Sequence, residues 1–139
     1  MKKQNKIYII ATVVATLSLI CLFSLDIGIN SEFYIKRDFD QAFQYRMTGD
    51  CIIFGNYIYQ AEGTWIENKD KWIEACENEK NSISIRKFKV TAITHQLWSD
   101  TAFLQAELTR NSANKDGDTY AVSYKMKKSG LIWKIANEK

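Results

Sequence analysis

At 139 residues the chain has room for one domain, and 46% hydrophobic with 13% aromatic residues excludes intrinsic disorder, which needs low hydrophobicity and high net charge. The net charge of +3 belongs entirely to Lys2, Lys3 and Lys6; beyond them sixteen basic residues face sixteen acidic ones. A formally neutral remainder excludes the electrostatic footprint of a nucleic-acid binder, so no nucleic-acid partner is expected.

Residues 1–6 read as a basic tail and residues 7–25 as an uncharged apolar run. Nineteen residues at about 1.5 Å each give a helix close to the ~30 Å hydrocarbon thickness of a bilayer. A cleaved secretory signal shares the basic start, but its apolar core is typically ~7–15 residues and ends at a small-x-small site. The exit here, Phe23-Ser24-Leu25-Asp26-Ile27-Gly28, offers only weak cleavage choices. A lipoprotein would use Cys21, yet Ile20 stands where a small residue is needed. The expectation is a single-pass anchor in the cytoplasmic membrane through residues 7–25. The lysine-flanked end stays inside, and the following domain is periplasmic or extracellular. Residues 26–35 then read as a connector.

The domain, residues 36–139, opens on helical spacing. In Phe33–Thr48, Phe39, Ala42, Phe43 and Met47 recur at i, i+3/i+4 intervals. Thr48-Gly49-Asp50 stops that helix: glycine suits a left-handed exit and aspartate the next N-cap. Cys51–Tyr59 reads as a short apolar helix or turn-and-helix, and 61–64 as a loop. Asn68 or Asp70 can cap a third helix that runs through Asn81. The period then becomes alternating in four runs: Ser82–Leu97, Thr101–Arg110, Thr119–Lys127 and Leu131–Ala136. In the second, Ala102, Leu104, Ala106 and Leu108 oppose Phe103, Gln105, Glu107 and Thr109; in the third, Tyr120, Val122, Tyr124 and Met126 share a face. These are strands with one buried side. Ser99-Asp100, residues 114–118 and Ser129-Gly130 supply turns for consecutive antiparallel hairpins. The basic clusters Arg86-Lys87-Phe88-Lys89 and Lys125-Met126-Lys127-Lys128 read as solvated faces.

A helix closed by Gly49-Asp50, a second short helix, an Asp-Lys-Trp-led third helix and then long antiparallel strands resembles the NTF2-like superfamily. The last strand, Lys128-Ser129-Gly130-Leu131-Ile132-Trp133-Lys134-Ile135-Ala136, is similar to the closing G-x-W-K-I strand common in that superfamily. The resemblance covers about Lys36–Glu138 and implies an α+β cone: three helices packed on a curved antiparallel sheet of about four strands. A β-segment often found between the second and third helices is reduced here to something like 63–66. The resemblance also implies that the second and third helices are neighbours, so Cys51 and Cys76 can form a disulfide in an oxidising space. Two buried free thiols are the alternative.

Some NTF2-like enzymes use a His/Asp pair inside the cone, which draws attention to His95 and Asp100. Their place at the end of the sheet fits a solvated turn better. Trp72, Tyr120, Tyr124 and Trp133 (with Trp65) could line an apolar ligand pocket, although aromatic residues at strand spacing more often form core. Trp98 beside a turn and outward-facing Phe103 are the candidate interface residues. One histidine and no Cys-x-x-Cys leave a metal site without ligands, and no cofactor is expected.

Three functions fit. The first is a non-enzymatic envelope domain that binds another envelope protein or itself, with an overall plan similar to VirB8-like secretion scaffolds. The second is a small apolar ligand binder, and the third an enzyme built on His95 and Asp100.

Overall fold

The computed structural model describes residues 2–24, 31–60, 67–81, 85–111 and 117–138, with the side chains of 2–6, 23–24, 67–68, 81 and 138 outside that description. The elements in chain order are α1 (Lys2–Ser24), α2 (Ser31–Thr48), α3 (Cys51–Gly55), α4 (Glu67–Asn81), β1 (Ile85–His95), β2 (Thr101–Arg110), β3 (Asp118–Ser129) and β4 (Ile132–Glu138). Trp65 and the expected 61–64 loop, 63–66 segment and most of the 114–118 turn lie outside the described residues.

Among the described residues no helix is long and apolar enough to cross a membrane. The described side chains of α1 cover residues 7–22, about 24 Å of helix against a ~30 Å hydrocarbon core. The expected span continues to residue 25, beyond those side chains. Every large apolar side chain from Ile7 to Leu22 is 51–69% exposed. The hydroxyls of Thr12, Thr16 and Ser18 donate to the carbonyls of Tyr8, Thr12 and Val14 at 2.8, 2.8 and 2.9 Å.

α2 starts at Ser31, two residues before the spacing predicts, and Ser31 and Ile35 are both buried. Residues 31–35 of the expected 26–35 connector are thus helical, and Ile35 adds a turn to the stripe of Phe39, Ala42 and Phe43. Met47, expected on that stripe, is exposed in the last turn. Gly49 takes φ +79°, and the Asp50 amide donates back to the Tyr45 carbonyl at 2.9 Å, which closes α2. The Asp50 side chain accepts from Thr48 Oγ1 at 3.0 Å and makes no cap bond to α3. α3 ends at Gly55, earlier than expected. α4 begins at Glu67, which places Asn68 and Asp70 inside its first turn rather than at its cap.

The sheet is a meander in the order β1-β2-β3-β4, all antiparallel. β2 and β3 pair without interruption from Thr101↔Lys127 to Arg110↔Asp118. β1 shifts register between Val90 and Ala92, which bends it around the helical layer. Ala102, Leu104, Ala106 and Leu108 are buried on the inner face with Val122, Tyr124, Met126, Trp133 and Ile135, and α2 lies across them. Beyond α3 the chain returns to β4, where Ile58 forms a parallel bridge with Ile135. The Tyr59 amide donates to the Ile135 carbonyl and the Ile135 amide to the Tyr57 carbonyl, both at 2.8 Å.

Candidate functional site

The concave side of the sheet, where a cone would hold a ligand, is packed with rings. Ala102 and Ala106 leave room on β2 for the aromatic stripe of α2 to descend. Phe39 stacks on Phe43 at 4.4 Å between ring centres and meets Tyr124 at 5.0 Å, while Phe43 meets Phe88 at 5.4 Å. Tyr124 and Trp133 are part of this core. The other two expected pocket residues are half-buried and lie elsewhere: Trp72 on α4 sits edge-on to Phe54 at 6.0 Å, and Tyr120 lies 4.7 Å beneath the Arg110 guanidinium.

His95 and Asp100 are not brought together by a hydrogen bond. The Nε2 of His95 lies 2.8 Å from the Ser99 carbonyl, which can only accept. That nitrogen therefore donates, and Nδ1 shares a hydrogen bond with Ser31 Oγ at 2.7 Å. The ring also stands edge-on to Trp133 at 5.3 Å. Asp100 is exposed and bonds to Thr101 Oγ1 at 3.0 Å, with Lys127 Nζ at 3.8 Å. His95 thus clips the β1–β2 hairpin to the start of α2.

A carboxylate that the sequence reading passes over holds the two layers together. Asp38 is 1% exposed. Its Oδ1 accepts from Arg37 Nε and Nη2 at 2.8 and 2.7 Å, and its Oδ2 accepts from the Trp133 amide at 2.8 Å. The available signal is its place on the apolar stripe of α2, three residues after Ile35. Nearby, the Tyr57 hydroxyl donates to Gln41 Oε1 at 3.0 Å; burial, then the charges of Tyr45 and Asp38, push its pKa above the ordinary value, against Arg37.

Cys51 and Cys76 form a disulfide between α3 and α4 across a sequence separation of 25. The half-buried Arg46 on α2 makes two bonds to Glu79 on α4, at 2.8 and 2.6 Å, and its guanidinium lies over Phe43, Phe54 and Trp72.

The convex side of the sheet carries no helix in the described residues. Its rows run Thr94–Phe103–Lys125–Asn137, then Ala92–Gln105–Ser123, then Lys89–Glu107–Ala121. Phe103 is 53% exposed and borders a shallow depression of about 310 Å³, lined also by Ser123, Tyr124, Lys125 and Asn137. Trp98 stands apart from this face, exposed within the β1–β2 turn at φ +67°.

No protein-family model and no curated protein matches the chain. Solved structures do. An NTF2-like protein of unknown function from Shewanella oneidensis is 17% identical, with a TM-score of 0.55 over 78% of this chain and 96% of that one. A Campylobacter jejuni protein named for its NTF2-like fold and a proposed transpeptidase activity is 13% identical, with a TM-score of 0.50 over 73% and 97%. A SEC-C motif containing protein from Rhodopseudomonas palustris is 6% identical, with a TM-score of 0.56 over 70% of each chain. At these identities the likeness is one of fold, and the four-stranded antiparallel sheet with its helices is an NTF2-like α+β cone.

Proposed function

We propose that this chain is a membrane-anchored, non-enzymatic NTF2-like domain, held outside a cytoplasmic membrane, that assembles with a second copy of itself through the open face of its sheet. The contrast between the two sheet faces carries this reading. A ligand-binding cone keeps its interior empty, whereas here Phe39, Phe43, Phe88 and Tyr124 occupy it. Recognition is left to the outside. A two-fold pairing brings the same patch from both copies together, so the patch must complement itself. Lys89 beside Glu107 supplies both signs, and Ala92, Gln105, Ala121 and Ser123 keep the surface around Phe103 low. His95 supports the non-enzymatic reading, since both ring nitrogens are engaged in structural bonds.

α1 supports the anchor. Its residues 7–22 carry no charge, and the hydroxyls of Thr12, Thr16 and Ser18 bond back to carbonyls of the same helix, which suits a hydrocarbon solvent. The plan of one span and an NTF2-like domain is similar to that of VirB8-like scaffolds, by analogy of architecture. The test is the mass of the full chain in detergent micelles and crosslinking in intact membranes. A dimer is expected, and Phe103→Glu should weaken it at least about tenfold with an unchanged circular dichroism spectrum. A wild-type chain that stays monomeric in both settings ends the reading.

A further inference from the structure

We propose that the domain rests one end on the bilayer that holds α1, through an apolar rim formed by Phe33, Leu97, Trp98 and Leu131; this rests on the anchor reading above. All four side chains are more than half exposed. The meander brings the β1–β2 and β3–β4 turns to the same end of the sheet, because Thr101 pairs with Lys127 and the Lys128 amide donates to the Asp100 carbonyl at 2.7 Å. Two strand spacings, about 10 Å, separate the turns. Phe33 joins them because the Ser31–His95 bond at 2.7 Å fixes the first turn of α2 beside the β1–β2 hairpin.

Connectivity chooses the occupant. Whatever path residues 25–30 take, the chain cannot place Ser31 more than about 25 Å from Ser24, the end of α1. The rim is therefore the end of the domain tethered nearest the hydrocarbon. Exposed Ile52 is a rival apolar site, but α2 carries the chain about 26 Å along its axis before α3 begins. The surrounding charges are mixed: Glu32 and Asp100 offset Lys127 and Lys128. Contact thus depends on apolar insertion rather than on anionic lipid, and tryptophan suits the headgroup boundary.

The backbone of the turn adds an independent observation. The Ser99 amide donates to the Gln96 carbonyl at 3.0 Å, so Gln96–Ser99 is a β-turn with Trp98 at its third position. Its φ of +67° is a conformation that this position normally gives to glycine or asparagine. A bulky ring is held there against local preference and directed outward, as strained residues at contact sites often are.

The experiment reconstitutes the full chain in phosphatidylcholine vesicles containing lipid brominated near the headgroup and compares tryptophan quenching in wild type and Trp98→Phe. A component quenched in wild type and absent from Trp98→Phe supports docking, as does its severalfold loss in a Leu97→Glu/Leu131→Glu variant. Equal quenching of wild type and Trp98→Phe overturns it, and so does a quenched component that vanishes when the chain is diluted with more lipid, which would mark copy-to-copy contact. Resistance to alkaline carbonate extraction is scored separately. A chain that resists extraction without Trp98 quenching keeps the anchor and loses the docking, whereas an extractable chain with quenching does the reverse.

Discussion

Two residues carry unusual energies for their positions. Asp38 is buried between an arginine on its own helix and a backbone amide 95 residues away. Asp38→Ala strands the buried Trp133 amide and removes the carboxylate partner of Arg37, and should cost about 2 kcal/mol in urea unfolding. Asp38→Asn keeps one acceptor and should cost clearly less; equal losses would mean that the charge matters more than the acceptor. Trp98 carries the opposite kind of energy. Trp98→Gly removes the left-handed penalty, partly offset by the greater freedom of glycine in the unfolded chain, and should stabilise the domain by about 0.5 kcal/mol. A fall in the unfolding midpoint would instead show that the ring packs against the fold. In the sequence Asp38 is legible only as an anomaly, a carboxylate on an apolar stripe. Its partner is invisible there because an amide in β4 has no side-chain signature. The exposure of Trp98 can be read from the adjacent turn, but its backbone strain cannot.

At the scale of elements, legibility follows how local the determinant is. β2 is readable to the residue because its alternation is strict and both flanks are turns. α2 begins earlier than its spacing suggests because burial of Ser31 and Ile35 is decided by contact with β1 and the core. The start of α4 slips for a related reason: Asn68 and Asp70 are good caps, yet polar residues in a first turn look the same as polar residues before it. The disulfide between α3 and α4 is the main brace of the helical layer. A loop of 25 residues corresponds to about 3 kcal/mol in the chain-entropy model. The Cys51→Ala/Cys76→Ala variant should lose about that much by thermal unfolding, and reductant should leave the variant unaffected while lowering the wild type. If the Arg46–Glu79 pair between α2 and α4 is enough to hold the helical layer together, the loss will be much smaller.

For the whole molecule, the inner face shows why residue identity alone does not separate core from pocket. Trp133 and Tyr124 look like pocket residues in the sequence, and the same alternation that puts them inward also puts Ala102 and Ala106 inward. Whether an inward face is hollow depends on what the facing helix brings, and α2 brings Phe39 and Phe43 into that space. Substituting both with alanine should open an apolar cavity, cost several kcal/mol, and create binding of a small aromatic probe that the wild type lacks. If the rim lies on the bilayer, the strands stand away from it and the open faces of neighbouring copies turn toward one another within the membrane plane.

The parallel bridge between Ile58 and Ile135 has a further effect. It occupies part of the outer edge of β4 with the chain's own backbone, at Tyr57 and Tyr59. The opposite edge, β1, is interrupted by two register shifts and lined by Arg86, Lys87 and Lys89. Neither edge offers an uninterrupted ladder to an incoming strand. On the proposed pairing, copies would meet face to face, and the described edges disfavour extension of the sheet into a continuous array. Assembly should stop at two, and concentrated protein should show a plateau in mass rather than seeded fibre growth.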